Sequence, residues 1–533
     1  MAAAEVNLAR SAGVAGAATM TSRILGLVRE QVLAYWFGAS DAMDAFLVAF
    51  RVPNLVRDLF AEGAMSAALV PTFSRTLALE GRDRAWRLGN AIMTALIVVT
   101  AILVVGAMVF APALVQLLAR DFANVPGKFE LTVLLTRVMA PFLILVAVAA
   151  ACMGMLNSLN IFFIPALAPA MFNVASIAVG IGLVPVAISA GVPPILAMAY
   201  GTLVGGVGQV ALQWPPLRRE GFRFRPRLDF ADPGLRRVLA LMGPGMVGLA
   251  ATQLNVFVNT IVATGEGTGA VSWLTYAFRV MYLPIGLFGV SIATATTPVM
   301  SRLAAVNDLP RMRSTLASAI ALMLTLNVPA SLGLMVLATP IVRLLFERGR
   351  FTPADTMATA AAVQLYALGL VGYSVVKIVS PTFYALGRSR TPAAVGVAAV
   401  LLNAGLSVAT APYFGYKGLA LSASIASLFN AGTLAWLARG ALGGLEFARV
   451  AGTFMKTLAA AGAMAGVAWA AMNGLESALP GSSLAAQVIR LAGAIGLAVL
   501  TLGLGAQVLG IREFEDVRDA VTARLRRMFN RPA

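Results

Sequence analysis

An all-α membrane protein with about fourteen transmembrane helices is the fold this sequence predicts, and three observations carry that prediction. The 533-residue chain is 59% hydrophobic and only 12% charged, against about 45–50% and about 25% in soluble domains. With a mean hydropathy of +0.85, the apolar excess cannot be hidden in a core, so its solvent is lipid. The apolar runs recur along the whole chain and suit helices of about 20 residues. They are too long and too uniform for barrel strands, which alternate over roughly ten residues. Helices are then the way to satisfy backbone polar groups in lipid. Third, the basic residues gather in alternate loops.

Taken in order, the expected spans lie near 11–37, 42–74, 88–118, 130–157, 161–187, 192–216, 236–263, 268–299, 313–346, 356–386, 391–412, 416–438, 449–473 and 484–510. The first two are the weakest, because they carry charges. One basic residue, Arg10, precedes the first apolar stretch, which Arg23 and Arg29 then interrupt. This is little like a cleaved signal, and the first helix is expected to stay. The positive-inside rule places both termini in the cytoplasm. Arg75, Arg82, Arg84 and Arg87 follow span two, and Arg218, Arg219, Arg223, Arg225, Arg227, Arg236 and Arg237 surround the loop after span six. Arg302, Arg311 and Arg313, then Arg388 and Arg390, then Arg439, Arg449 and Lys456 mark later inside loops. The opposite loops carry balanced charge, Lys128 among it. The basic tail from 512 to 533 is read either as a short helix on the inner membrane surface or as a topogenic tail.

The chain repeats itself. Ala49-Phe50-Arg51-Val52 recurs as Ala277-Phe278-Arg279-Val280 (277 − 49 = 228), and Leu59-Phe60 as Leu287-Phe288. Pro71, Pro112 and Pro165 match Pro298, Pro340 and Pro392 at 227 or 228. Six spans separate equivalent points, so both copies share one orientation, as in parallel-repeat transporters. The expected division is an N-terminal lobe over 1–228, a C-terminal lobe over 229–441, two added helices over 442–511 and the tail.

The +17 net charge would indicate nucleic acid in a soluble protein; here topology accounts for it, and no nucleic-acid partner is expected. The chain has no histidine and one cysteine, Cys152. No His/Cys metal cluster and no cofactor is expected, and Cys152 reads as packing. Arg23, Arg29, Arg51, Arg57 and Arg279 fall inside expected spans, where each costs roughly 2.5–3.5 kcal/mol. Lys377 and Arg137 are weaker buried-charge candidates. Asp44, Arg51 and Asp58 recur every seven residues and so share a helix face to within about 20° per step. Two readings stand. One is a structural network with Glu30, Asp41, Asp44, Asp58 or Glu62, or snorkelling near an interface. The other is a cationic cavity, since guanidinium grips phosphate oxygens in bidentate fashion. A cationic-drug pump would want carboxylates there. A membrane enzyme would need acid/base or metal-binding groups that this chain hardly supplies, so no enzyme is expected. A transport-dead scaffold is a further rival that retained arginines oppose.

Over residues 7 to 510 the sequence resembles the MurJ/MviN family of lipid II flippases, within the multidrug/oligosaccharidyl-lipid/polysaccharide exporter superfamily. The resemblance rests on Ser22-Arg23-Ile24-Leu25-Gly26-Leu27-Val28-Arg29-Glu30, Asp44-Ala45-Phe46, Arg51-Val52-Pro53-Asn54-Leu55-Val56-Arg57 and Phe60-Ala61-Glu62-Gly63-Ala64. Val271-Ser272-Trp273, Tyr276-Ala277-Phe278-Arg279, Tyr384 and Arg390-Thr391-Pro392 extend it. It implies a two-lobe inner-membrane transporter that flips undecaprenyl-pyrophosphate-linked disaccharide-pentapeptide for peptidoglycan synthesis by alternating access. Its partners would be lipid II, membrane lipids and cell-wall synthesis or division proteins. It implies Arg23, Arg29, Arg57 and Arg279 as cavity arginines and Asp44 as an important acid, with Glu62 in the same motif; Arg51 joins them as a substrate-binding candidate. Phe278 and Tyr282 stand where the family often has acids, which removes negative charge beside Arg279.

Overall fold

The computed structural model describes residues 2–59, 65–515 and 518, with side chains from residue 20 onward except at 56, 59, 66, 67 and 243–252. Among the described residues the secondary structure is helical, without strands. In chain order the helices are α1 (Ala2–Phe37), α2 (Asp41–Leu59), α3 (Met65–Val109), α4 (Ala111–Leu118), α5 (Lys128–Met139), α6 (Phe142–Ser158), α7 (Phe163–Ser189), α8 (Ile195–Arg219) and α9 (Pro233–Thr264). Then come α10 (Ala270–Pro284), α11 (Val290–Ala305), α12 (Leu309–Val336), α13 (Ala338–Phe346), α14 (Pro353–Ala385), α15 (Arg390–Phe414), α16 (Tyr416–Ala441), α17 (Phe447–Ala478) and α18 (Leu484–Val508). Among the described residues, eleven stretches are long and apolar enough to cross a membrane. The expected spans at 11–37 and 236–263, and most of that at 42–74, lie on α1, α9 and α2, outside those eleven.

The helices form two compact units. One takes Met1–Ser272 with Arg348–Thr352, the other Trp273–Glu347 with Pro353–Ala533. In the first, Phe73, Trp86 and Phe222 join in an aromatic core, with ring centroids 5.5 Å and 5.4 Å apart in turn. In the second, Met323, Ile378, Phe383 and Leu434 centre the core. Helices α17 and α18 belong to it, packing Met464, Ala468 and Met472 against Leu491, Ala494 and Ala498. The α14–α16 contact is close because it is made of small residues. A Cβ on Gly369 would lie 2.7 Å from Ser424 Cα, and one on Gly372 2.7 Å from the Ser427 carbonyl carbon. The facing serines donate to α14 carbonyls, Ser424 to Leu365 at 2.6 Å and Ser427 to Gly369 at 2.9 Å.

Several expected spans are broken, each for a local reason. α3 turns sharply at Gly81, whose φ of 82° is open to glycine and costly for other residues. Spans three and nine each end in a separate short helix. α4 begins just before Pro112 and α13 just before Pro340, repeat equivalents that stop the preceding helix and start the next. Span four divides at Pro141. Span eight carries a π turn, Ile285–Gly289, directly after Pro284, the kind of bulge that marks a bend in a helix. Side-chain caps fix three other starts. Asp232 accepts from the Gly234 and Leu235 amides, Asp308 from Arg311 and Ser483 from Ala486. At the far end Ile511 is buried and Glu513 pairs with Arg449 at 3.3 Å. The expectation for the basic tail falls on residues outside the described ones beyond 515, apart from 518.

Candidate substrate-binding site

The charged residues singled out from the sequence divide between the units. Arg23, Arg29, Asp44, Arg51 and Arg57 lie in the first, Arg279 and Lys377 in the second. Glu62 lies outside the described residues.

On α1, Arg23 is exposed and Arg29 half-buried. Arg29 pairs with the neighbouring Glu30, which is buried, and its guanidinium carbon sits 5.1 Å from the Phe172 ring centroid. That ring belongs to a cluster with Phe50 and Phe142, which gives the cation a fixed apolar wall and a cation–π contact. α7 holds α1 in place here: Asn173 donates to the Ser22 carbonyl at 3.0 Å, beside Gly26.

On α2, Ser40 accepts from the Met43 amide and caps the first turn. Pro53 is buried within the helix. Arg57 grips Asp58 through Nε at 3.3 Å and Nη2 at 3.1 Å. Asp58 also accepts from Asn54 at 3.1 Å and from Gln253 of α9 at 3.2 Å, so the carboxylate orients the guanidinium. Arg51 is half-buried one turn and a half earlier. From Arg23 to Asp58, leaving aside Asp41 and Asp44, four guanidiniums accompany two carboxylates, a surplus of two positive charges (4 − 2). Such a surplus suits an anionic ligand rather than a neutral one.

Asp44 is wholly buried and its partner is Lys128 at the start of α5, a residue that in the sequence is one of several balanced loop charges. The carboxylate takes four donors: Lys128 Nζ at 3.1 Å, the Gly269 amide at 2.7 Å, the Ser272 amide at 3.1 Å and the Ser272 hydroxyl at 2.7 Å. Lys128 is buried too, bonds Asp41 at 2.7 Å and lies 4.1 Å from the Phe122 ring centroid. This ion pair ties α2, α5 and the approach to α10 together.

In the second unit Arg279 is exposed on α10, next to Phe278. The Phe278 ring stacks on Tyr282 at 5.9 Å and meets the edges of Tyr366 and Tyr373 of α14 at 5.6 Å and 6.2 Å. The aromatic substitutions noted in the sequence thus build a ring cluster beside the arginine. Lys377, half-buried, is one turn beyond Tyr373 on α14. Arg137 is no buried charge: it is exposed in the last turn of α5 and donates to the Met108 carbonyl at 3.0 Å. No three His, Cys, Asp or Glu side chains are grouped to hold a metal among the described residues.

Comparison with known proteins now adds a family. Residues 33–488 match the family model described as Lipid II flippase MurJ. A probable lipid II flippase MurJ of Vibrio cholerae is 33% identical over 523 residues, covering 96% of this chain and 98% of that protein. One of Rhizobium meliloti is 35% identical over 442 residues, 81% of each chain. A solved structure of lipid II flippase MurJ in an inward closed conformation superposes with a TM-score of 0.75 at 24% identity, covering 93% of this chain and 99% of that one. At that identity the superposition speaks for the fold.

Proposed function

Because this chain belongs to the lipid II flippase MurJ family, we propose that it carries lipid II, the undecaprenyl-pyrophosphate-linked peptidoglycan precursor, from the cytoplasmic to the periplasmic leaflet of the bacterial inner membrane. The family match over residues 33–488 is the observation that carries this reading. The arginine surplus on α1 and α2 supports the finer part of it, a cationic cavity that binds the pyrophosphate. Arg29, Arg57 and Arg279 draw in the pyrophosphate, with Arg23 assisting and Arg51 beside them. Asp58 and Glu30 hold two of the guanidiniums in set orientations, so less side-chain entropy is lost on binding. The sugar-peptide head occupies the wet cavity and the polyprenyl tail stays in lipid. Two repeats then alternate between inward and outward access. No bond is made or broken, so the chain works as a transporter and not as an enzyme. Membrane potential acts on such a charged cavity with about 2.3 kcal/mol per charge per 100 mV. Both termini lie in the cytoplasm, and cell-wall synthesis or division proteins are its partners.

The test is complementation of a flippase-depleted bacterium, with Arg29→Ala and Arg279→Ala variants at equal membrane abundance. Rescue by the wild type and failure of both variants is expected. Lipid II accumulating inside despite expression would overturn the substrate; rescue by both variants would reduce the arginines to structural charges.

A further inference from the structure

Helices α8 and α9 are joined by residues 220–232, and this link is not a loose loop. Asn90 of α3 receives the Arg225 amide on its Oδ1 at 2.8 Å and donates from Nδ2 to the Arg223 carbonyl at 3.1 Å. Thr94, one turn on, receives the Arg227 amide at 3.0 Å. Two side chains of a helix therefore do what a neighbouring strand would do, and they bind the edge formed by residues 223, 225 and 227. Pro226, with no N–H, falls at the alternate position, where that edge needs no donor. In an extended segment alternate side chains take opposite faces. Phe222 and Phe224 pack into the first unit's core, and Arg223, Arg225 and Arg227 all stand exposed, roughly 6.6 Å apart in succession. The clamp is braced at both ends by Arg82 to Glu220 at 3.1 Å and Arg84 to Asp232 at 2.7 Å.

Two further facts say what this comb meets. Arg227 pairs with Asp229 at 3.2 Å, whereas Arg223, Arg225 and the flanking Arg218, Arg219 and Arg237 have no carboxylate partner among the described residues. Just after them Leu228 and Phe230 are 54% and 50% exposed. The segment lies at the ends of two expected spans, where cations beside exposed apolar side chains form an interfacial lipid anchor. Topology alone needs only the charge. It requires neither a clamped backbone that sets the arginines in one row nor the two apolar side chains beside them. An acidic protein would match the row but not Leu228 and Phe230.

We propose that residues 222–230 form a lipid-reading strap, in which Arg223, Arg225 and Arg227 bind the phosphates of anionic phospholipids while Leu228 and Phe230 enter the acyl boundary. Only the choice of leaflet, the cytoplasmic one, rests on the orientation proposed above. The test reads lipid retention and not transport, so it stands whether or not lipid II is the cargo. The full chain is purified in detergent and titrated with phosphatidylglycerol or phosphatidylcholine, and bound lipid is counted by native mass spectrometry. Wild type prefers phosphatidylglycerol, and added salt weakens the preference. R223Q/R225Q/R227Q loses about fivefold for each of Arg223 and Arg225, the equivalent of about 1 kcal/mol each, and less for Arg227, whose charge Asp229 already offsets. R223K/R225K/R227K, which keeps the charge and topology, loses less. N90A/T94V, which keeps every arginine but frees the backbone, falls between wild type and the glutamine variant. Equal retention of the two lipids by wild type would overturn the proposal, as would unchanged phosphatidylglycerol binding by the glutamine variant or by N90A/T94V at matched thermal stability.

Discussion

Lys128→Met is the sharpest single test of how the first unit is held. It keeps the length of the side chain and removes its charge from a site where both Lys128 and Asp44 are at most 3% exposed. Asp44 then retains three donors, the Gly269 amide at 2.7 Å, the Ser272 amide at 3.1 Å and the Ser272 hydroxyl at 2.7 Å, but its charge has no counter-ion. Removing one partner of a buried ion pair costs about 3–5 kcal/mol. The second contact of Lys128, to Asp41, adds little, because that carboxylate is 43% exposed and such pairs are worth about 0–1 kcal/mol. The cation–π contact with Phe122 adds about 1 kcal/mol more. The expected loss is therefore about 4–6 kcal/mol in the unfolding free energy of the full chain, measured by steric trapping or detergent unfolding. K128M/D44N removes both charges and should recover about 2 kcal/mol of that loss. Recovery is partial, because the asparagine amide turns a donor toward the Gly269 or Ser272 N–H. A loss under about 1 kcal/mol for K128M, or a double variant no better than the single, would refute a counter-ion role for Lys128.

Other variants follow from the packing and the loops. Burial pushes the Asp232 carboxyl up, but the Arg84 hydrogen bond and the Leu235 and Gly234 amides outweigh it, and the group ends below its ordinary value. Its contribution is therefore complete above the ordinary carboxylate range and is lost as pH falls through the lowered value. Asp232→Asn keeps the cap and should flatten that part of the pH–stability curve, read as melting temperature in mild acid. Gly372→Val places side-chain atoms where even a Cβ lies 2.7 Å from the Ser427 backbone. A loss of about 3 kcal/mol or more is expected, visible as reduced folded yield, whereas Gly432→Ala, with open space around it, should be tolerated. Cys152 is fully buried in the α3–α6 core, so a membrane-permeant maleimide should label it only after unfolding; rapid labelling of the native chain would contradict that packing.

What the sequence makes legible and what it conceals follow from the range of each interaction. Apolar run length is local, and the described residues of the expected spans accordingly lie largely on helix. Pro112, Pro141, Pro284 and Pro340 are also local, and each stands at an observed break. Charge pairing between neighbours is equally readable: Arg29 with Glu30 and Arg57 with Asp58 are pairs the sequence offers. The partner of Asp44 is 84 residues away, on a segment whose charge looks unremarkable by composition. Likewise Gln253 and Phe172, which orient Asp58 and face Arg29, carry no local signal of those roles. The clamped extended segment at 223–227 is half legible. Its alternation of Phe and Arg is visible, but the paired edge that keeps it extended is supplied by a helix.

The repeat offers a route to that missing pair. Asp44 and Ser272 are equivalents (272 − 44 = 228); in the structure this acid accepts two hydrogen bonds from its own duplicate position. Two carboxylates could not make those contacts, since like charges in one buried site disfavour ionisation. Divergence to a hydroxyl in the second copy converts repulsion into a donor–acceptor pair. Lys128 has a duplicate too, Asp355 (355 − 128 = 227). It occupies the first turn of α14 as Lys128 does that of α5, and it binds the first turn of α10 by accepting from Trp273 Nε1 at 2.9 Å. The same scaffold contact is thus made twice, once as a buried ion pair and once as a neutral donor on a carboxylate. Aligning the two halves sets Lys128 against Asp355 and Asp44 against Ser272, so complementary rather than identical residues at equivalent positions are the sequence signal for contacts that hydropathy cannot see.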